Sequence, residues 1–164
     1  MKTDTNCIFC KIVVGQLPCF NLLEDDATLA FMDIYPANDG HCLVIAKDHY
    51  PTLFEISDAA FAAVSHSVTR VARAINKALS PEGLNLVQAN GPGAQQSVKH
   101  FHVHVLPRKP GDDLKLNWGV KPGEPTPQTD IAMSDLDRLR VGRSRGQGHV
   151  ITAAKPHFNR GVLG

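Results

Sequence analysis

The amino-acid sequence predicts an α+β protein built on an antiparallel sheet of about five strands. Short apolar runs separated by turn-forming residues lie before and after one long amphipathic stretch at 58–79. Strands grouped on both sides of a single helix, without regular alternation of strand and helix, are typical of antiparallel sheets. A short second helix is predicted near the C-terminus, at 134–141.

Turn-forming residues mark the first three strands. Segments 20–25 and 28–34 meet at the turn signal Asp25-Asp26 and are expected to form a hairpin. The apolar run at 41–46 follows PANDG, a loop of turn formers, and is expected to be the next strand.

One apolar face predicts the long helix at 58–79. Ser57 is placed to cap its N-terminus, and the sequence SPEG at 80–83 is placed to end it. A strand at 84–90 and a glycine-rich loop at 91–96 are expected to follow. The apolar residues of the helix step by three and four, as on one side of a helix: Phe61, Val64, Val68, Val71, Ile75 and Leu79.

The stretch VKHFHVHVLPR carries three of the eight histidines at every second position. Alternate side chains of a strand share a face, so His100, His102 and His104 would lie together, and the apolar residues between them would pack into the core. Three histidines on one face make a purely structural role the weaker interpretation. From the residues alone, this face fits either a metal site or a substrate that requires several imidazoles.

The loop before this stretch favours a phosphate-bearing substrate. Gly91 and Gly93 leave backbone N–H groups accessible, and Gln96 and Ser97 add polar side chains. Such a combination is a common phosphate cradle. A neutral imidazole is a nitrogen nucleophile near neutral pH, and a neighbouring ring can donate to a phosphate oxygen. The pattern therefore favours nucleophilic catalysis on phosphorus.

Composition and charge limit the possible binding partners and the cellular location of the protein. The chain has 164 residues and a net charge of +1, which argues against bulk binding to nucleic acid or to a membrane surface. It contains no apolar run of membrane-spanning length and no signal-peptide core, so we expect a cytoplasmic protein. One domain is expected over 1–120, with a partly irregular C-terminal extension over 121–164.

Cys7 and Cys10 form a Cys-x-x-Cys pair near the N-terminus. A redox pair of this spacing is typical of a βαβ context, which the sequence lacks. The alternative is half of a zinc site, which requires two further ligands.

The stretch QSVKHFHVHVLPR resembles the signature of the histidine triad (HIT) family. The order of AFMDI, GHCLVIAKDH, a long helix, ANGPGAQQSV and the histidine stretch also resembles that family, over roughly residues 7–110. The resemblance implies a HIT-like fold and a nucleotide-binding hydrolase or transferase that cleaves at the α-phosphate of a nucleotide, as a homodimer. The chain is similar both to Hint-like nucleoside phosphoramidases and bacterial HIT proteins and to Fhit-like dinucleoside polyphosphate hydrolases. The leaving group therefore stays open.

The resemblance also implies roles for individual polar residues. His102 would attack phosphorus and form a nucleotidyl-histidine intermediate, and His104 would contact the phosphate and assist the leaving group. His100 belongs to the same catalytic row, and His41 would support the row from a neighbouring strand. Asp33 would bind the ribose hydroxyls.

Further residues are implied to contact the nucleotide. Gln96 and Ser97 would lie beside the phosphate. Many family members carry Asn or Gln eleven residues before the first triad histidine; this chain has Ala89 there, and Asn90 is the candidate to replace it. Gln95 stands where the family loop usually has Gly. Four apolar residues would enclose the base: Phe9, Ile12, Phe31 and Ile34.

The resemblance extends to the cysteine pair. Several family members complete a Cys-x-x-Cys zinc site with two histidines that correspond here to His49 and His100. A structural zinc ion held by Cys7, Cys10, His49 and His100 is thus implied, with no metal required for catalysis. Two other functions stay open: a nucleotide-binding regulator with little turnover, and a metalloenzyme that uses the triad as metal ligands.

Overall fold

The computed structural model describes residues 1–116, which form one compact unit. The predicted helix at 134–141 and the predicted extension at 121–164 lie outside the described residues, so both stay predictions, as does the domain boundary near residue 120. No helix within residues 1–116 is long and apolar enough to cross a membrane. The helices are α1 (Ile8–Val13) and α2 (Asp58–Leu79), and the strands are β1 (Asn21–Glu24), β2 (Thr28–Met32), β3 (Cys42–Ala46), β4 (Gly83–Val87) and β5 (His102–Arg108).

The five strands form one antiparallel sheet in the order β1-β2-β3-β5-β4. The predicted α+β class with an antiparallel sheet is therefore confirmed. The histidine strand β5 lies between β3 and β4, and its histidines pair with apolar residues of β3, His104 with Leu43 and His102 with Ile45. This register places His104 between partners on β3 and β4, whereas His102 has a partner on β3.

The two faces of the sheet pack against different helices. Helix α2 covers one face, where Val64 and Val68 pack against Phe101 and Val105 in the larger core. Helix α1 covers part of the other face, where Phe9 packs with residues of β2 and β3. Since neighbouring residues of β5 point to opposite faces, the apolar residues face α2 and His102 faces α1, as the alternation predicts.

Helix α2 begins and ends where the sequence predicts. Ser57 accepts a hydrogen bond from the N–H of Ala60 at 3.2 Å, and Ser80 adopts a left-handed conformation with φ of 46° after the last turn. The apolar stripe faces the sheet, and its residues at 64, 68, 71 and 75 are buried. This agreement reflects the length of the stripe, which repeats over six turns.

Two features differ from the prediction. The strand predicted over the histidine stretch at 98–108 begins at His102, because residues 98–100 form a bend, so His100 precedes the sheet ladder. The segment around Cys7 and Cys10 forms α1, a helix that the sequence analysis did not predict. Six residues without a side-chain cap give no periodic signal in sequence.

Candidate active site and metal-binding cluster

His102 is the most enclosed histidine on the α1 face of β5, with 2% of its surface exposed. Its Nδ1 lies 2.6 Å from the backbone oxygen of His100. Because a carbonyl oxygen only accepts, the ring proton resides on Nδ1 and the lone pair resides on Nε2. Burial lowers the pKa of His102, against the opposing effects of that hydrogen bond and of Asp33. The ring is therefore neutral at pH 7, with a nucleophilic Nε2.

Hydrogen bonds also fix the ring protons of His41 and His104. The N–H of Ala37 donates to Nδ1 of His41 at 3.1 Å, so the proton of His41 resides on Nε2. That Nε2–H donates to Nδ1 of His104 at 2.8 Å. His104 must then carry its own proton on Nε2. His104 therefore presents an N–H donor, whereas its neighbour His102 presents a lone pair.

Burial keeps His41 and His104 uncharged at neutral pH. It lowers the pKa of His104 to about 4, and the nearby His102 and His41 act in the same direction. Burial also lowers the pKa of His41, while Asp33 acts in the opposite direction. Oδ2 of Asp33 lies 3.5 Å from Nε2 of His41, close enough to stabilise positive charge on this ring.

An apolar wall stands beside the histidines. The ring of Phe9 meets the rings of Phe31 and His102 edge-to-face, with centroid distances of 5.5 and 5.4 Å. Phe9 and Phe31 are buried, Ile12 is half-buried against them, and Ile34 is 64% exposed. The structure thus brings three of the four predicted base-contacting residues into one cluster, and Ile34 lies outside that cluster.

The polar residues of the loop before β5 are engaged within the protein. Oε1 of Gln96 accepts from the N–H of Gly91, and its Nε2 donates to the carbonyl oxygens of Pro51 and Val98. The side chain of Ser97 is exposed. A phosphate contact by Gln96 or Ser97 stays a prediction, and the bonds that Gln96 makes give it a role in shaping the loop.

Asn90 is engaged in the same way. Its Oδ1 accepts from the N–H of Leu53 at 2.7 Å, and its Nδ2 donates to Oε1 of Gln88 at 2.6 Å. Its substitution for the family amide absent at Ala89 stays a prediction. The Gln88–Asn90 amide pair was not singled out from the sequence, since two amides two residues apart give no distinct signal.

A cluster of four possible metal ligands lies beside helix α1. Its members are Cys7, Cys10, His49 and His100, and their ligand atoms lie within 4.8 Å of one another. Nδ1 of His100 lies 3.4 Å from Sγ of Cys7 and 3.6 Å from Sγ of Cys10. Nδ1 of His49 lies 3.3 Å from Sγ of Cys10. The four residues that the sequence analysis groups together are therefore neighbours in space.

The geometry of this cluster fits a tetrahedral metal ion. With Zn–S of about 2.3 Å and Zn–N of about 2.0 Å, tetrahedral angles place sulfur and nitrogen about 3.5 Å apart. Nε2 of His100 donates to the backbone oxygen of Ala46 at 2.8 Å, which leaves the Nδ1 lone pair toward the sulfurs. A carbonyl partner of this kind commonly orients a histidine ligand. A bound zinc ion would complete a closed structural site there.

A second group of possible ligands, Asp33, His41 and His104, fits a metal poorly. Nε2 of His41 carries a proton toward His104, as the N–H of Ala37 at Nδ1 requires. Metal binding at Nε2 would drive the proton to Nδ1, against that backbone N–H. The hydrogen bonds therefore disfavour the metalloenzyme interpretation.

Two histidines on an inner antiparallel strand, a third just before that strand and a fourth just before the neighbouring strand define a protein of the histidine triad class. The family model described as HIT domain matches residues 14–111, so the chain belongs to the HIT domain family. It is 40% identical over 142 residues to "Protein hit" of Bacillus subtilis, covering 85% of this chain and 98% of that protein. It is also 44% identical over 114 residues to adenosine 5'-monophosphoramidase hnt1 of Schizosaccharomyces pombe, covering 70% of this chain and 82% of that protein.

Solved structures agree with the family assignment. A member of the HIT family from Bacillus subtilis superposes with a TM-score of 0.77 at 39% identity, covering 82% of this chain and 97% of that one. A Zn-bound histidine triad family protein from Mycobacterium smegmatis superposes with a TM-score of 0.64 at 34% identity, with 82% and 97% covered. The predicted HIT-like fold is confirmed.

Proposed function

We propose that the protein is a hydrolase or transferase of nucleoside 5'-phosphate derivatives that works through a covalent nucleotidyl-histidine on His102. The observation that carries this proposal is the hydrogen bond from Nδ1 of His102 to the backbone oxygen of His100. It leaves the Nε2 lone pair on the face of the sheet where the apolar wall stands. The similarity to an adenosine 5'-monophosphoramidase supports the same reaction class.

The reaction proceeds in two displacements at the α-phosphorus. Nε2 of His102 attacks phosphorus, a phosphorus–nitrogen bond forms, and the bond to the leaving group breaks. The leaving atom takes up one proton from solvent as it departs. Water then attacks phosphorus, releases one proton and restores the free imidazole, so that protons balance over the two steps. We assign hydrogen-bond donation to the phosphate oxygen and the leaving atom to Nε2–H of His104, supported by His41.

The nucleoside would be held by the apolar wall and by Asp33. Phe9 and Phe31 offer aromatic surface for a base, with Ile12 and Ile34 as further apolar contacts. Oδ1 of Asp33 accepts from the N–H of Tyr35 at 2.8 Å, and carboxylate oxygens have further lone pairs for ribose hydroxyls. Dinucleoside polyphosphates and nucleoside phosphoramidates share this nucleotide half and differ in the leaving group.

Trapping the intermediate tests the proposal. The full chain is mixed with adenosine 5'-phosphoramidate and, separately, with diadenosine polyphosphate, both labelled at the α-phosphorus, and the protein is quenched in alkali. We expect label on wild-type protein with at least one substrate, and none on His102→Ala. His66→Ala, which alters an exposed histidine of α2, is the matched control and should label as wild type does.

Two outcomes would contradict this assignment. Labelling of His102→Ala at the wild-type level would place the nucleophile elsewhere. AMP binding without turnover of either substrate would favour the alternative, a nucleotide-binding regulator. A third function, catalysis by a metal on the triad, would show as complete loss of activity on chelation while the fold persists.

We also propose that the cluster of Cys7, Cys10, His49 and His100 holds a structural zinc ion. The sulfur–nitrogen distances of 3.3 to 3.6 Å support it, as does the zinc in the Mycobacterium smegmatis relative. Elemental analysis of protein never exposed to chelator should give about one zinc per chain, the stoichiometry of a closed Cys₂His₂ site. Zinc below a small fraction of an equivalent would overturn the proposal.

A homodimer is proposed from the edge of the sheet. Within residues 1–116, β4 pairs only with β5, which leaves one edge of β4 free. Leu86 on β4 is 53% exposed and borders a groove of about 430 Å³ between β4 and α2. A two-fold axis at this edge would pair β4 with its copy and cover Leu86. Light scattering should report a dimer, with Leu86→Lys shifted toward monomer; a wild-type monomer at high concentration would contradict this.

A further inference from the structure

The metal-binding cluster and the nucleophile share one residue. The imidazole of His100 lies in the cluster, with Nδ1 within 3.6 Å of both sulfurs. The backbone oxygen of the same residue accepts the proton of His102 at 2.6 Å. Because residues 98–100 form a bend outside the sheet ladder, the peptide group that carries this oxygen is held by two attachments, the bond from the Phe101 N–H to the Tyr50 oxygen and the His100 side chain. The bonds that hold it are those to the cluster and to Ala46.

The cluster also holds the apolar wall. Phe9 lies between Cys7 and Cys10 on α1, and its ring is 5.4 Å from that of His102 and 5.8 Å from that of His100. Helix α1 has six residues and no side-chain cap, too few to be stable alone in water. Two kinds of contact therefore hold this helix against the sheet. The cysteines that flank Phe9 contact His49 and His100, and Phe9 itself packs against apolar residues of β2 and β3.

We propose that the Cys/His cluster is a positioning element for catalysis: metal binding fixes the His100 carbonyl that orients His102 and presses Phe9 against the same ring. His100 and Phe9 are positioning residues in this scheme, and they act through His102. The inference rests on the proposed function and extends it, since it assigns to the structural site a direct effect on the nucleophile.

The scheme separates the two histidines of β5. The proton of His102 is placed through His100 and hence through the cluster. The proton of His104 is placed through His41 and the N–H of Ala37, which both belong to the loop before β3. Metal removal should therefore change the tautomer of His102 and leave that of His104 unchanged. A general loosening of the fold would change both.

Nitrogen-15 NMR of the histidine rings provides the test. Spectra of the full chain are recorded with zinc bound and after removal of zinc by a chelator in the presence of a thiol reductant. With zinc, we expect a pure Nδ1–H tautomer for His102. Without zinc, we expect a mixture of both tautomers for His102, and no change for His104. Calorimetry with AMP should show an affinity loss of about tenfold, as for displacement of one aromatic contact.

Variants of one ligand give an independent comparison. Cys7→Ala should reproduce the metal-free spectrum of His102, and Cys7→His, which keeps four ligands, should restore both zinc content and the Nδ1–H tautomer. Cys19→Ser, at a half-buried cysteine outside the cluster, is the matched control and should keep the wild-type tautomers. If zinc removal unfolds the wild-type chain, Cys7→Ala serves in its place, because loss of one sulfur ligand weakens zinc binding while Phe9 and His100 are unchanged.

Different results would contradict the positioning role and the proposed function. An unchanged His102 tautomer and unchanged AMP affinity, in zinc-free protein or in Cys7→Ala, would overturn the positioning role. Equal change at His102 and His104 would also overturn it, in favour of a purely structural metal. Failure of zinc-loaded protein to form the nucleotidyl intermediate would instead overturn the proposed function, and the tautomer measurement would still stand.

Discussion

A single backbone N–H sets the proton positions of His41 and His104. The N–H of Ala37 fills the Nδ1 acceptor of His41, so His41 donates to His104 and His104 becomes a donor on Nε2. In His102, two residues before His104, the carbonyl of His100 holds the ring proton on Nδ1 and leaves the lone pair on Nε2. Neighbouring imidazoles with the same intrinsic chemistry thus present a lone pair and a proton. Backbone groups make this distinction, and they carry no sequence signature.

The first prediction concerns His41. His41→Leu removes the donor to His104 and should lower the rate of nucleotidyl transfer by about 10²-fold, the usual scale for loss of one positioned proton-bearing group. His41→Gln, whose amide can donate from a similar position, should retain more activity than His41→Leu. Single-turnover rates would test this, and the AMP affinity of each variant would be measured alongside. Equal rates for the two variants would argue against a hydrogen-bonding role.

The second prediction concerns Gly40, which precedes His41. Gly40 has φ of +84°, and a Cβ there would lie 2.5 Å from Cδ1 of Leu79 and 3.1 Å from Cγ of Pro107. Gly40→Ala should therefore lower the free energy of unfolding by about 1–3 kcal/mol through backbone strain and crowding. Gly15→Ala is the matched control, because Gly15 has φ of +74° with nothing within 4 Å of a Cβ. Urea denaturation should show the larger loss at Gly40; the reverse order would contradict the crowding argument.

At the scale of elements, one long helix and one short helix place the site. Helix α2 buries the apolar residues of β5, which fixes the register and turns the histidines of the strand to the opposite face. Helix α1 covers part of that opposite face with Phe9, which packs there against Phe31. The long helix is held by many apolar contacts, whereas the short one depends on the cysteines and on Phe9.

The third prediction concerns the cap of α2. Ser57 accepts from the N–H of Ala60, and Ser57→Ala should lower the free energy of unfolding by about 1 kcal/mol. Ser65→Ala is the control, because exposed Ser65 donates to the carbonyl of Phe61 within the helix and caps no free N–H. Its effect should stay within about 0.5 kcal/mol. Denaturation midpoints measure both, and equal losses would remove capping as the explanation.

At the scale of the whole molecule, the described domain buries several neutral histidines, and its stability should depend on pH. Burial lowers the pKa of His104 from 6.5 to about 4, and it lowers those of His41 and His102 in the same direction. Between about pH 4 and pH 6.5, His104 of the unfolded chain binds a proton that His104 of the folded chain does not. The free energy of unfolding should therefore fall as pH is lowered from about 6.5 toward 4.

The fourth prediction isolates His104 from this sum. Its share should be about 1–2 kcal/mol between pH 7 and pH 5, after allowance for partial exposure. Unfolding of zinc-loaded wild type and His104→Asn is compared at both pH values, and the variant should lose less stability on acidification. His66→Gln, at an exposed position, should follow the wild type. Parallel pH slopes for His104→Asn and wild type would contradict the buried-neutral assignment.

The sequence by itself determined the features that depend on periodicity. The stripe of α2, its Ser57 cap and the alternation of histidine with apolar residues on β5 are local patterns, and each is repeated enough to predict its element. Family resemblance added the grouping of Cys7, Cys10, His49 and His100, which the structure brings together. The sequence did not predict α1, since six residues without a cap give no repeated pattern.

Tertiary structure alone decided how the site residues divide their tasks. The bend at residues 98–100 takes His100 out of the strand, so that its ring joins the cysteines while its carbonyl orients His102. Contacts with Pro51 and Leu53, distant in sequence, engage Gln96 and Asn90. A pattern of residue types shows which groups can react. The direction of each ring proton depends on backbone partners that only the folded chain brings within hydrogen-bonding distance.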